Sequence, residues 1–167
     1  MHILIIDDEI DICKLISGVL EDEGYKTSDA QNSDSAISII SKDKIDLIIL
    51  DVWLEGSKLD GIELLQEIHN TRPEIPIIII SGHGNIDTAV TAIKIGAYDY
   101  LEKPFKTERL MHTIKRASEA YNLRQEITNI RNKSNYATDY IGQSNTVLQL
   151  NQTIERLAEV KSRILIT

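Results

Sequence analysis

What the chain has little of narrows the field first. A single cysteine, Cys13, rules out an internal disulfide, and its place in a helical pattern gives it a structural rather than a redox role. Three prolines and eight glycines among 167 residues, with 42% apolar and 26% charged residues, do not make a disordered chain; a core can be buried. No apolar run approaches the roughly 20 residues that span a bilayer. The longest are Ile3 to Ile6, Leu47 to Leu50 and Ile75 to Ile80, so no membrane association is expected. The segment from Met1 to Asp8 lacks the basic start, long apolar stretch and small-residue cleavage site of a secretory signal, which makes a cytoplasmic location the default. Positive charge is also scarce: the net charge is −8. Gripping nucleic acid needs a clustered excess of lysine and arginine, so DNA binding by this segment itself is not expected.

What is present, up to about residue 105, is an alternation of strand-like apolar runs with helix-period segments, the pattern of a parallel sheet covered by helices. Strands are expected at about 2 to 6, 26 to 30, 46 to 50, 76 to 80 and 98 to 102, and helices at about 9 to 22, 34 to 42, 60 to 71, 86 to 96 and from 107 onward. Gly24, Pro73 and Gly96 are the stop signals. The first, third and fourth strands are nearly unbroken apolar runs, as strands buried on both faces are. No solenoid-type repeat is present.

The last helix runs past the end of a compact domain, through Ile114, Ala117, Ala120, Leu123, Ile127 and Ile130. We read these positions as one irregular stripe suited to burial against a partner helix, that is, a dimer-forming linker. A polar joint from Asn132 to Asp139 follows, then an amphipathic segment with Val147, Leu150, Ile154, Leu157 and Ala158. The run from Arg163 to Thr167 reads as a buried strand without a crossover partner, which makes the chain a fragment of something longer. The expected division is 1–120, 121–139 and 140–167.

The chemistry lies at the carboxyl ends of the strands. Asp7 and Asp8 follow the first apolar run, Asp51 the third, Ser81 the fourth and Lys103 the fifth. In an open doubly wound sheet those ends form the ligand crevice, so three carboxylates, a hydroxyl and an ammonium converge although they are scattered along the chain. Clustered carboxylates repel unless a cation sits among them, and Mg2+, a hard cation that keeps several waters, suits one or two carboxylates plus a phosphate oxygen. A carboxylate can also attack phosphorus, and the transferred group then needs a metal on one side and a fixed cation such as Lys103 on the other. Ser81 can donate a hydrogen bond to a phosphoryl oxygen, and the Lys103–Pro104 bond is one that can be cis. His69, His83 and His112 share no metal-ligand spacing and read as surface or helix filler.

Asp7-Asp8-Glu9, Leu50-Asp51, Ile80-Ser81-Gly82 and Lys103-Pro104-Phe105 at these separations resemble the receiver domain of response regulators over residues 1 to about 120. The resemblance implies a flavodoxin-like fold with strand order 2-1-3-4-5. It implies Asp51 as the acceptor of a phosphoryl group from a sensor histidine kinase, with Lys103 and Ser81 assisting. Asp7, Asp8, Asp51 and the backbone carbonyl of Trp53 would hold Mg2+, and Ser81 and Tyr100 would form a switch pair. Leu50 to Gly61, Ser81 to Asn85 and Gly96 to Phe105 are similar to nitrogen-regulation response regulators of the NtrC class. Residues 140–167 are similar to the opening of that class's AAA+ module, which acts on sigma-54 RNA polymerase. ATP and DNA binding would then belong to parts of a parent protein beyond Thr167. Within this reading the chain is a phosphoacceptor, not an enzyme, and forms a homodimer through the linker helix or through the face of the fourth helix, fifth strand and long helix. Two alternatives stay open: a dimerising scaffold independent of phosphorylation, and a haloacid-dehalogenase-like phosphatase. The latter expects a second acid two residues after its nucleophile, where Trp53 stands.

Overall fold

The computed structural model describes residues 1–82 and 86–136, with side chains as far as Leu123 and at Glu126, and beyond these Ser144 and Gln149. The expected joint from Asn132 to Asp139 is corrected in its first part, where residues 132–136 continue the α-helix that ends at Tyr136; its remainder at 137–139, His83, the rest of the segment from 140 and the run at 163–167 lie outside the described residues. Two compact units divide the chain, Met1–Gln125 and Glu126–Thr167. The first holds an alternating series: β1 (His2–Ile6), α1 (Ile10–Asp22), β2 (Lys26–Ala30), α2 (Ser33–Lys42), β3 (Leu47–Asp51), α3 (Gly61–Thr71), β4 (Ile77–Ser81), α4 (Ile86–Ile95), β5 (Asp99–Glu102) and α5, which starts at Thr107. In the second unit the described backbone is the helical continuation of α5 to Tyr136, with Ser144 and Gln149 beyond it. None of the described helices is long and apolar enough to cross a membrane.

All four strand pairings are parallel and the order is β2-β1-β3-β4-β5. Every residue of β1, β3 and β4 is buried, which is why their sequences are aliphatic apart from one end residue each; the edge strands β2 and β5 carry polar residues and are only partly buried. Side chains alternate between the faces with the two-residue period of a strand. Leu4, Ile6, Ile48, Leu50, Ile77 and Ile79 pack against α2, α3 and α4. Ile3, Ile5, Leu47, Ile49, Ile78 and Ile80 pack against α1 and α5. Each such side chain taken out of water stabilises the fold by about 1.5–3 kcal/mol.

Boundaries fall within one or two residues of the sequence reading, and the offsets have local causes. β4 begins at Ile77 because Pro76 has no N–H to give the ladder, although its carbonyl accepts from Ile48 at 3.0 Å. α3 starts on a capping box in which Asp60 accepts from the Glu63 N–H at 2.8 Å and Glu63 accepts from the Asp60 N–H at 3.1 Å.

A second expectation is corrected. The positions read as a single stripe on α5 occupy two faces. Leu110, Ile114, Ala117 and Tyr121, spaced 4, 3 and 4, are buried, whereas Leu123 is 59% exposed. Each step of three residues rotates a helical position by about −60°, so the three successive steps from Ile114 to Leu123 carry it roughly half-way round the helix. The side chains of Ile127 and Ile130 lie outside the described residues.

Candidate functional site

Asp7 stands one residue beyond β1, fully buried, with its N–H on the Ala30 carbonyl at 3.1 Å and its Oδ1 accepting from the Glu9 N–H at 3.0 Å. Asp51 is the last residue of β3, also buried, and its Oδ1 accepts from the Trp53 N–H at 3.3 Å. Lys103 follows β5, and its N–H donates to the Ser81 carbonyl at 2.7 Å. Its ammonium reaches back across the strand ends, 2.6 Å from Asp7 Oδ2 and 2.7 Å from Asp51 Oδ2. Residues separated by 44 and 52 positions therefore meet at one point, because β1 and β3 end side by side and the Lys103 side chain reaches them from β5, across the end of β4. Asp8 is half-buried and completes the group: one carboxylate oxygen each from Asp7, Asp8 and Asp51 lie within 4.8 Å of one another.

A cleft of about 770 Å³ opens over this group, lined by Asp8, Glu9, Asp51, Trp53, Asp60 and Lys103 among others. Trp53 is 57% exposed on its rim. Burial pushes the Asp51 carboxyl above its ordinary 3.8; the Lys103 ammonium works against that rise and Asp7 adds to it. For Lys103, burial acts to lower the pKa, but the hydrogen bonds its ammonium donates to Asp51 and Asp7 outweigh it and the net movement is upward. Cys13 lies beneath the site, its thiol 3.4 Å from the Asp7 carbonyl, and burial with the nearby Asp7 and Asp29 charges pushes it up to about 11, where it is inert as a nucleophile at neutral pH.

Ser81 is the buried last residue of β4. Ile79 pairs with Tyr100 in the β4–β5 register, so Ser81, two residues on from Ile79, lies on the same face of the sheet as Tyr100. The Tyr100 ring packs on the core beneath α2, α3 and α4, and its hydroxyl is buried with no hydrogen-bond partner among the described residues. The Lys103–Pro104 peptide is cis. His69 lies away from the acidic group; its ring occupies the space over Gly96, where φ is +130°, and His112 is exposed on α5.

The sequence reading passed over one residue that shapes the site. A Cβ on Gly61 would collide with the Asp51 carbonyl oxygen and the Val52 backbone, and the Gly61 N–H donates to the Val52 carbonyl at 2.9 Å. Glycine at the start of α3 lets the helix press directly against the strand end that carries Asp51. An Asp-Gly pair opening a helix was the available signal.

Residues 3–115 match the response regulator receiver domain family, which is most of the chain. The chain belongs to that family. Along 98% of its length it is 48% identical to the nitrogen assimilation regulatory protein NtrX of Azorhizobium caulinodans, of which it covers 36%. A crystal structure of NtrX from Brucella abortus in complex with ATP superposes with a TM-score of 0.74 at 48% identity, over 97% of this chain and 35% of that one. The solution structure of a beryllofluoride-activated NtrC4 receiver domain dimer gives 0.68 at 42% identity, over 72% of this chain and 98% of that one. The chain thus spans about a third of the length of the full regulators it matches. Its flavodoxin-like sheet order is that of the family, and its role is that of a receiver module in two-component signalling.

Proposed function

We propose that Asp51 is the phosphoacceptor of this receiver, that its phosphoryl group comes from a sensor histidine kinase, and that the transfer depends on Mg2+. The observation that carries this reading is the meeting of three carboxylates within 4.8 Å while one lysine bridges two of them. Three carboxylates face a single ammonium, and burial already drives the Asp51 carboxyl toward its neutral form. A hard divalent cation with oxygen ligands is the group that balances such a site. Asp7, Asp8 and Asp51, with the Trp53 carbonyl, would hold it. When bound, Mg2+ supplies positive charge to the phosphoryl oxygens.

The residues of the chain do the rest. A carboxylate oxygen of Asp51 forms a bond to phosphorus while the bond from phosphorus to the donor nitrogen breaks. The electron pair stays on that nitrogen, and the leaving imidazole takes up a proton. Lys103, anchored by Asp7, keeps a fixed charge beside the transferred group. The Ser81 hydroxyl donates to a phosphoryl oxygen and draws on the face shared with Tyr100. A phosphorylated side chain brings about −1.5 to −2 charges, which repositions this pair and reshapes the face of α4, β5 and α5. Moving a two-state equilibrium from 1:99 to 99:1 takes about 5.5 kcal/mol of differential stabilisation. Ile86, Val90 and Ile93 form an exposed apolar ridge on α4 that suits a homodimer through this face, alongside the long α5 as a second dimer element.

The same reading makes 1–120 the receiver, 121–139 a linker and 140–167 the start of an AAA+ module in a cytoplasmic sigma-54-dependent regulator. ATP and DNA binding would belong to the remainder of that regulator. Incubation with Mg2+ and acetyl phosphate, read by intact mass, tests the core of it. The chain should gain one phosphoryl group, and should gain none with a chelator or as Asp51→Asn. A label that survives the substitution would overturn the assignment.

A further inference from the structure

The connection from β3 to α3 occupies residues 52–60, which is long for a strand-to-helix joint. It carries Trp53, Leu54 and Glu55 to the rim of the acidic cleft. A long loop that must present backbone beside buried carboxylates needs something to hold it, and here the fastening comes from α2. Ser57 Oγ accepts from the Ser33 N–H at 2.8 Å and donates to Ser33 Oγ at 2.9 Å. Ser33 Oγ accepts in turn from the Leu59 N–H at 3.4 Å. Ser33 is buried as the first residue of α2, so its N–H is one of the unpaired donors of a helix start, and Ser57 caps it from 24 residues away. Within the loop, the Ser57 N–H donates to the Leu54 carbonyl at 3.3 Å around Gly56, whose φ of +70° only glycine adopts without strain. Outside it, Lys58 pairs with Asp34 at 2.7 Å, but both side chains are mostly exposed and such a pair holds little.

We propose that Ser33 and Ser57 are positioning residues for the metal side of the acidic cleft. Their paired hydroxyls fix the loop that carries the Trp53 backbone beside Asp51, so that the cation finds its ligands already in place. The inference rests on the reading that Asp7, Asp8 and Asp51 bind Mg2+. Outer partners of this kind govern metal affinity because a ligand that has to be ordered on binding binds more weakly.

The test is a Mg2+ titration of the chain, followed by the amide NMR shifts of residues 51–61, with the melting temperature measured alongside. In Ser57→Ala the dissociation constant should rise about tenfold, at the lower end of the effect of outer-sphere partners. Ser57→Thr, which keeps the hydroxyl, should restore the parent value. Lys58→Ala should stay within about twofold of it. An unchanged affinity in Ser57→Ala overturns the proposal. So does an equal loss in Ser57→Ala and Ser57→Thr, or a loss matched by a collapse in melting temperature, because either marks general damage to the fold. If the parent chain itself shows no Mg2+-dependent shifts, the metal reading of the preceding subsection fails, and this one fails with it.

Discussion

The two ends of the same sheet treat buried polar groups in opposite ways. At the amino ends of the strands, His2 is buried, yet its backbone groups and its ring Nε2 have hydrogen-bonding partners. Its N–H donates to Asp46 Oδ2 at 2.8 Å, and its ring Nε2 lies 2.8 Å from the Ser28 hydroxyl. Tyr121 of α5 closes that end over a small cleft of about 180 Å³ shared with Ile40, Ile45 and Ile75. At the carboxyl ends, Asp7, Asp8 and Asp51 crowd together, two of them on Lys103, under a cleft roughly four times as large. One end pairs its buried histidine, and the other gathers three carboxylates about a single bridging lysine. Perturbed carboxylates in a cleft are where function is to be sought, and the contrast with a paired buried histidine on the same strands makes that inference specific.

The largest effect that sharpens this contrast is expected from Lys103→Ala. Removing it leaves Asp7 and Asp51 buried without their shared partner, so Mg2+-free stability should fall by about 3 kcal/mol in urea unfolding. Mg2+ should restore part of the loss, and phosphorylation should be lost. If Mg2+ restores nothing, the two ends of the sheet do not differ in the way described. Gly61→Ala should cost about 2 kcal/mol, because the added methyl meets backbone rather than a movable side chain. It should also slow labelling by acetyl phosphate; a variant as stable and as fast as the parent would show that the α3 start is free to move.

Asp51→Asn should act in the opposite direction. The folded-state pKa of Asp51 is raised, so the folded form holds its proton longer than the unfolded chain does. That contribution to stability is complete below the ordinary 3.8 and is lost as pH rises through the folded value. Above the folded value the ionised carboxylate therefore costs the fold energy. Asparagine removes that cost, and thermal unfolding in chelator should show a melting temperature a few degrees higher, equivalent to about 1 kcal/mol. The gain should shrink as pH falls toward 4. A destabilised asparagine variant at pH 7 would contradict it. At the other end, His2→Ala should lower stability by about 1 kcal/mol with no dependence on Mg2+ and no change in labelling.

Much of this was legible in the sequence because the strands are short, buried on both faces and followed at once by their functional residues. Ile3 to Ile6 runs straight into Asp7, and Leu47 to Leu50 into Asp51, so strand pattern and doubly wound topology together predict the meeting point. What remained hidden depends on contacts between distant segments. Gly61 matters because of the Asp51 carbonyl it faces, and Ser33 matters because of Ser57. Neither is part of a periodic pattern. The split face of α5 was hidden differently: Ile114 and Leu123 satisfy helical spacing step by step, and only the accumulated rotation separates them, with Tyr121 taking the buried place instead.

We propose Asp51, within a metal-dependent carboxylate group, as the destination of the phosphoryl group. Borohydride reduction of the chain after acetyl phosphate and Mg2+ treatment, followed by peptide mass mapping, addresses it directly, since an aspartyl phosphate is reduced to homoserine. Homoserine at position 51, absent when Mg2+ is withheld, is the predicted result. Homoserine at position 7 or 8, or a conversion at 51 that proceeds equally well in chelator, would contradict the account.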